Sequence, residues 1–260
     1  MFDSGKNLVL AITTFDLDAL RISVPPLRGF SRRAILIIHN DNSNAELNRA
    51  TVKKLGWRGE LHIINSSENR GEVGARIAIL DYMVANNMKP DWVLFADDDD
   101  VIINIDVPTV DANNFAVIQN TTVLSGDISD VFKISQNWVN GSDYGDTGPR
   151  FGIAGALIRL PMLIEFADFI RPLLPHMYHI ANATRYRVPW STVMWNGLNI
   201  FARARHPDAS PIYMNQTNYV AIKLGRATQK YGKTIPTKQT GEKIIQKFNE
   251  LFAFAVADKK

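Results

Sequence analysis

The first hundred residues alternate short, almost continuously apolar runs with amphipathic segments. The apolar runs predict four strands, at residues 7–13, 33–39, 60–65 and 91–96. Strands that are apolar along their whole length are typical of parallel sheets buried on both faces. The N-terminal part of the chain is therefore expected to contain a parallel sheet.

The segments between these runs have apolar residues at helical spacing. Two such sets are Leu47, Val52 and Leu55, and then Val73, Ile77, Leu80 and Val84. Gly56 suits the end of the first helix, and Pro90 follows the second. Alternation of strands and helices predicts an α/β fold with right-handed crossovers. Ligands in such folds bind beyond the carboxyl ends of the strands.

The pattern changes after about residue 105. A polar stretch at residues 107–150 precedes a predicted strand at 151–160, and Pro161 suits the first turn of a helix. A helix is predicted at 189–205, a strand at 210–214 and a long amphipathic helix at 240–260. The apolar stripe of that last helix either packs on its own domain or lies on a membrane surface.

Composition narrows the class of protein. The chain has 260 residues, 46% hydrophobic content, a net charge of +3 and no cysteine. A disulfide framework and a thiolate zinc site are therefore excluded, and no basic stripe indicates nucleic-acid binding. The N-terminus has no apolar signal region, and no apolar run approaches the roughly 18 residues of a membrane span. We expect a soluble, cytoplasmic protein, either free-standing or one module of a longer chain.

Four consecutive aspartates, Asp97 to Asp100, follow the fourth predicted strand in the sequence WVLFADDDDVI. Their mutual repulsion is costly unless a cation lies beside them. Asp97 and Asp99 are alternate residues and can point the same way. Two carboxylates together with phosphate oxygens suit Mg²⁺ or Mn²⁺. The alternative is a solvated acidic turn, but the position at the ligand-binding edge of the sheet favours a functional cluster.

A second segment, NRGEVGARI, covers residues 69–77 between the third strand and its helix. Gly71 permits a tight turn, and the start of the helix is expected to offer free N–H groups to an anion. Arg76 lies about one and a half turns further on and is expected to reach the same anion.

Together these segments resemble the nucleotide-sugar glycosyltransferases of the GT-A fold, either family-2-like or exostosin-like. The resemblance is carried by ITTF, IIHNDNS, the Asn-x-Gly-x-x-x-Ala-Arg pattern of residues 69–76, and the Asp-x-Asp pattern of residues 97–99. It covers residues 7–105 and continues loosely through residues 151–163. It implies a single-domain fold with a nucleotide-sugar-binding half, 1–105, and an acceptor-binding half, 106–260, that includes the C-terminal helix.

The resemblance also implies roles for individual residues. Thr13, Thr14 and Phe15 would line the nucleoside, and Asn40 or Asp41 would bond the base, usually uracil. Asn69 belongs to the same binding segment, and Arg76 would hold the phosphate or nucleoside. Asp97, Asp98 and Asp99 would hold the ribose and a metal that neutralises the leaving diphosphate. The implied reaction moves a sugar from a UDP-sugar to a glycan or glycolipid, as in polysaccharide biosynthesis.

One expected element is missing. Inverting members of the family usually have a carboxylate pair near the start of a late helix to deprotonate the acceptor. Trp195 and Asn196 stand there instead, and an amide cannot take a proton at neutral pH. The base is then Asp143, Asp146 or Asp208, or the enzyme is retaining, or the position has been altered.

Three other functions compete with this interpretation. Asp16 and Asp18 follow the first strand as in haloacid-dehalogenase-like phosphatases, although Leu20 departs from that motif. A sugar-phosphate nucleotidyltransferase would need a glycine-rich basic segment after the first strand, and none is present. A non-catalytic metal-dependent sugar-binding module would use the four aspartates without a nucleotide.

Overall fold

The N-terminal half of the chain forms four parallel strands. They are β1 (Leu8–Thr14), β2 (Ile35–Asn40), β3 (Leu61–Asn65) and β4 (Trp92–Asp97), side by side in the order β3-β2-β1-β4. This computed structural model describes residues 7–42, 44–105, 109–125, 146–149, 152–223 and 234–258. Each apolar run of the sequence is therefore a buried strand, and the prediction of a parallel α/β sheet is confirmed.

The connections between these strands contain α1 (Leu20–Ser23), a 3₁₀ turn (Pro25–Phe30), α2 (Arg49–Lys54) and α3 (Gly71–Ala85). One predicted core position is wrong: Val84 is 55% exposed. The reason lies in the end of α3, where Asn87 adopts a positive φ of 57° and the Met88 N–H bonds the Met83 carbonyl. This turn buries Met83 against Met88 and leaves Val84 on the outer side.

The part of the chain after β4 extends the same sheet. Its strands are β5 (Val101–Ile102), β6 (Asn114–Ser125), β7 (Asp146–Pro149), β8 (Leu157–Arg159) and β9 (Ser210–Lys223). The full order is β3-β2-β1-β4-β8-β6-β9-β5, with β7 paired to β6. β8 runs antiparallel to β4 and β6, so the sheet is mixed. One sheet contains strands from both sides of residue 105. The division into a nucleotide-sugar-binding half and an acceptor-binding half at that residue therefore remains a prediction about function.

The predicted strand at 151–160 is shorter than expected. Only β8 is extended within it, because Gly155 adopts a φ of +86° and turns the chain against β4. The Gly155 N–H bonds the Phe95 carbonyl at 3.0 Å. This turn brings residues 152–156 next to the end of β4, beside the aspartates.

Helices cover both faces of the sheet. One face carries α3 together with α4 (Leu160–Ile170), α5 (Leu174–Asn182), α6 (Trp190–Arg205) and α7 (Lys238–Asp258), and a 3₁₀ turn (Arg171–Leu173) joins α4 to α5. The other face carries α1, the first 3₁₀ turn and α2. Pro161 lies in the first turn of α4, as predicted.

The apolar stripe of α7 packs on the protein itself. Phe248 meets Trp190 edge-on at 5.2 Å between ring centroids. Phe252 lies so close to Gly197 that a Cβ there would come within 2.8 Å of its ring. Of the two alternatives for this stripe, packing on its own domain is the one observed. None of the helices in the described residues is long and apolar enough to cross a membrane.

Candidate active site

A cavity of about 440 Å³ opens at the carboxyl ends of β1 and β4. Eight of the residues predicted to bind the donor line it: Thr13, Thr14, Phe15, Asp41, Asn69, Asp97, Asp98 and Asp99. The two predicted residues that do not line it are Asn40 and Arg76. The structure thus brings most of the predicted site together at the edge of the sheet where α/β proteins bind ligands.

Two of the four aspartates have structural roles. Asp98 holds the turn after β1, since its Oδ2 accepts bonds from Thr14 Oγ1 (2.7 Å) and from the N–H groups of Phe15 and Asp16 (3.2 and 3.3 Å). Asp100 is 7% exposed and accepts bonds from the Tyr219 hydroxyl and the Ile222 N–H, which fasten the end of β4 to β9. Asp98 therefore shapes the side of the cavity that Phe15 and Asp16 line.

Asp97 and Asp99 are the aspartates available to a ligand. One oxygen of Asp97 accepts a bond from Arg76 Nη2 at 2.9 Å. Among the described residues, no other residue donates a hydrogen bond to the Asp99 carboxylate. Burial, together with the negative charges of Asp98 and Asp97, raises the pKa of Asp99 to about 7. An arrangement this costly when ionised favours a bound cation.

Arg76 does not reach the cavity, which contradicts its predicted role. Its side chain is 1% exposed, and its Nη1 bonds Glu72 Oε1 at 2.7 Å. Its Nη2 bonds Asp97, so the guanidinium holds two carboxylates from beneath. The spacing of Arg76 with Val73, Ile77 and Leu80 places it on the buried face of α3. The two bonds of Arg76 fix the orientation of the Glu72 and Asp97 carboxylates.

The predicted anion site at the start of α3 is also taken by the protein. The Asp41 carboxylate accepts the N–H groups of Arg70 and Gly71, each at 2.8 Å. Asn69 Oδ1 accepts the Gly71 N–H as well, at 2.9 Å. Gly71 has a φ of +68°, the tight turn expected from the sequence. The N–H groups of Arg70 and Gly71 are therefore already bonded within the fold.

Asn40 is an internal brace and not a contact for the base. It is 0% exposed, and its amide nitrogen bonds the Ala45 carbonyl (2.6 Å) and Asn65 Oδ1 (2.9 Å). Of the pair Asn40 and Asp41, only Asp41 lines the cavity. The expectation that either residue could bond the base is thus narrowed to Asp41.

The two candidate bases whose side chains the structure describes, Asn196 and Asp208, do not line the cavity. Asn196 lies midway along α6. Asp208 is exposed and lies beside Arg159, which pairs with Trp92 at the start of β4, whereas the aspartates follow the other end of that strand. Asp146 begins β7, but its side chain lies outside the described part of the structure, and so does the whole of Asp143.

Three charged or aromatic residues that line the cavity were missed by sequence reasoning: Glu72, Tyr178 and Arg187. Tyr178 lies in α5 and Arg187 in the segment between α5 and α6, and Trp190, at the start of α6, lines the cavity beside them. The Tyr178 hydroxyl bonds the Arg70 carbonyl at 3.3 Å and holds α5 over the first turn of α3. No local pattern reveals this contact, because the two residues are 108 positions apart.

The donor set fits a metal that shares its coordination with a substrate. Within the described residues, no group of three or more His, Asp or Glu side chains is placed to hold an ion. Asp97 and Asp99 supply carboxylates on the cavity side, as predicted for the metal. Mg²⁺ commonly takes one or two protein carboxylates and completes its shell with phosphate oxygens and water. Two carboxylates at the mouth of a cavity match that preference.

We expect Mn²⁺ to stabilise the protein more at pH 8 than at pH 6. The pKa of Asp99 is about 7 in the fold, so at pH 6 the metal must displace a proton. Affinity should fall about tenfold for each pH unit below 7. The measurement is the shift in melting temperature at a fixed, non-saturating Mn²⁺ concentration, with EDTA as the control. An equal shift at both pH values would show that Asp99 does not bind the ion.

Comparisons with known proteins give weak likenesses. No protein-family model matches the sequence, and no curated protein matches it significantly. Among solved structures, a mycobacterial protein shares 9% identity with a TM-score of 0.45, covering 98% of this chain and 76% of the other.

Two further solved structures are glycosyltransferases, the class that the sequence motifs resemble. Glucosyl-3-phosphoglycerate synthase from Mycobacterium tuberculosis, in complex with Mg²⁺ and UDP, shares 9% identity and a TM-score of 0.41, covering 90% of this chain and 82% of that one. A glycosyltransferase involved in glycosylating the major capsid of PBCV-1 shares 9% identity and a TM-score of 0.37, covering 95% and 98%. At TM-scores below 0.5 these likenesses assign no function, so the function rests on the cavity itself.

Proposed function

We propose that this protein is a metal-dependent glycosyltransferase that moves a sugar from a UDP-sugar to a glycan or glycolipid acceptor. One observation carries the proposal. Asp97, Asp98 and Asp99 line the cavity, but Asp98 is bonded to the turn after β1, which leaves Asp99 and the Asp97 carboxylate, held by Arg76 at one oxygen, as the alternate pair available to a ligand. Alternate carboxylates beside a cavity of nucleotide size suit a divalent ion that bridges a diphosphate.

The nucleoside fits the side of the cavity formed by the turn after β1. Asp98 holds that turn, so Phe15 is placed to lie against a base and Thr13 to border it. Asp41 lies on the same side and keeps lone pairs beyond its two bonds to α3. Such a carboxylate can accept a hydrogen bond from the uracil N–H, which supports UDP as the nucleotide.

The diphosphate fits between the aspartates and Arg187. Arg187 lines the cavity, and its positive charge acts to lower the pKa of both Asp99 and Glu72, so it is close to both carboxylates. A bound Mn²⁺ or Mg²⁺ would supply Lewis-acid stabilisation of the leaving diphosphate. Arg187 would add a second positive charge, and Arg76 keeps Asp97 oriented throughout.

The competing functions fit the structure less well. A phosphatase needs both acidic residues of its motif at the cavity, but the Asp18 side chain is 80% exposed and pairs with Arg21 at 3.5 Å. Asp16 Oδ1 accepts the Asp18 N–H at 3.2 Å in a local turn. A metal-binding module without a nucleotide would need more protein ligands than the two carboxylates found within the described residues.

Release of UDP from UDP-sugars tests this function. We expect slow, Mn²⁺-dependent release from at least one UDP-sugar, faster when an acceptor glycan or glycolipid is added, and stopped by EDTA. The control is p-nitrophenyl phosphate, which a phosphatase would cleave and a glycosyltransferase would not. Cleavage of that phosphate ester and its loss in Asp16→Asn, with no release of UDP from any sugar, would contradict the proposal.

A further inference from the structure

We propose that the transferred sugar binds between Glu72 and the aromatic pair Tyr178–Trp190, and that this subsite selects a neutral sugar over one that carries a carboxylate. The inference rests on the proposed function, because it names the class of sugar for the same cavity.

Glu72 lies beside the proposed metal position. It stands in the first turn of α3, lines the cavity and is 21% exposed in its side chain. One guanidinium fork joins Glu72 to Asp97, with bonds of 2.7 and 2.9 Å from the two terminal nitrogens of Arg76. The Glu72 carboxylate is therefore close to the point where a sugar attached to a metal-bound diphosphate would begin.

Tyr178 and Trp190 form an aromatic wall of the same cavity. Their ring centroids are 6.2 Å apart at an interplanar angle of 77°. Tyr178 lies against the first turns of α3, which include Glu72, because a Cβ placed on Gly74 would be 3.4 Å from the Tyr178 hydroxyl. Aromatic rings pack against the apolar face of a sugar, and a carboxylate accepts hydrogen bonds from its hydroxyl groups. The lining of this cavity contains both kinds of group.

The charge of the cavity sets the class of sugar. In its described lining there are six carboxylates and one guanidinium: Asp16, Asp41, Glu72, Asp97, Asp98, Asp99 and Arg187. A bound divalent ion and a diphosphate largely neutralise each other, so the lining of the cavity keeps a net negative charge. A uronic acid would place its carboxylate in this negative surrounding, whereas a neutral hexose would only donate hydrogen bonds.

The experiment compares two matched pairs of ligands by calorimetry with Mn²⁺: UDP-glucose with UDP-glucuronate, and UDP-galactose with UDP-galacturonate. In at least one pair the neutral member should bind about tenfold more tightly to the wild-type protein. Glu72→Gln should narrow that ratio about fivefold or more, because it keeps the shape and removes the charge. UDP alone should bind both proteins within about twofold.

Glu68→Gln is the control, since Glu68 is four residues earlier, has a side chain 71% exposed and does not line the cavity. It should leave every ratio unchanged. The inference, but not the proposed function, would be overturned by either of two results. In one, the acidic UDP-sugar binds as tightly as the neutral one in both pairs. In the other, Glu72→Gln leaves the affinity ratios unchanged although UDP still binds. Failure of UDP itself to bind the wild-type protein would overturn the proposed function and, with it, this inference.

Discussion

Replacing Arg76 with methionine is expected to lower the free energy of unfolding by about 3 kcal/mol, the largest loss of stability from any single change at the site. Arg76 is 1% exposed and is the shared partner of Glu72 and Asp97. Methionine fills the space but leaves two carboxylates, 21% and 31% exposed, to repel each other without their cation. Chemical denaturation at pH 8 measures the effect.

Arg171→Met is the matched control for this prediction. Arg171 also pairs with a residue of α3, Asp81, at 2.8 Å, but the two side chains are 45% and 50% exposed. A pair exposed to this extent contributes at most about 1 kcal/mol. Equal losses in the two variants would show that burial of the Arg76 network is not what makes it important.

Asp99→Asn should have two opposite effects. It should weaken Mn²⁺-dependent UDP binding about a hundredfold or more, because one of two protein ligands is lost. It should also raise the melting temperature of the metal-free protein by about 2–5 °C at pH 8. The pKa of Asp99 in the fold, about 7, lies above its ordinary value, so its ionisation destabilises the fold progressively as the pH rises from about 4, the pKa of an unfolded aspartate, to about 7. At pH 5 the gain should fall to roughly a third of its value at pH 8.

Asp98→Ala distinguishes an aspartate with a structural role from an aspartate that binds the metal. It also removes a charge, but it breaks the three bonds that hold the turn after β1. We expect it to lower stability at pH 8, the reverse of Asp99→Asn. A loss of stability in Asp99→Asn, or metal-dependent UDP binding that persists there, would contradict the assignment of Asp99. Calorimetry and thermal melting of the two variants provide the readouts.

Much of the fold could be predicted from local sequence pattern. The runs before Asp97 and His39 are apolar at every position, which only a strand covered on both faces requires. Since parallel strands end at one edge, the meeting of Thr13, Asp41 and Asp97 followed from their position in the chain alone. The alternation of Asp97 and Asp99 left open that Asp98 also lines the cavity, where it is bonded to the turn after β1.

The hydrogen bonds and ion pairs between side chains could not be predicted from local sequence pattern. Arg76 was expected at the cavity because of its distance from Gly71, but it lies on the buried face of α3 and pairs with Glu72 and Asp97. The signal was present: Glu72 and Arg76 have the i, i+4 spacing of an ion pair. Asp41 was expected to be free, but it bonds two N–H groups that are about thirty residues away. Contacts of that range have no local signature.

Tyr178 and Arg187 were missed for a related reason. Both belong to the C-terminal half, and they reach the cavity because α5 folds back over α3. In the sequence, Trp190 of the same half fits stacking on a sugar and core packing equally well. The structure packs it on Phe248 and also places it in the lining of the cavity.

Calorimetric titration of UDP, with GDP as the control nucleotide, tests the central claim most directly. With Mn²⁺ present, UDP should bind the wild-type protein and GDP should bind more weakly, and EDTA should abolish binding. A carboxylate pair that shares a metal with a diphosphate requires this dependence. Binding of neither nucleotide in the presence of Mn²⁺ or Mg²⁺, or binding of UDP that EDTA leaves unchanged, would contradict the account.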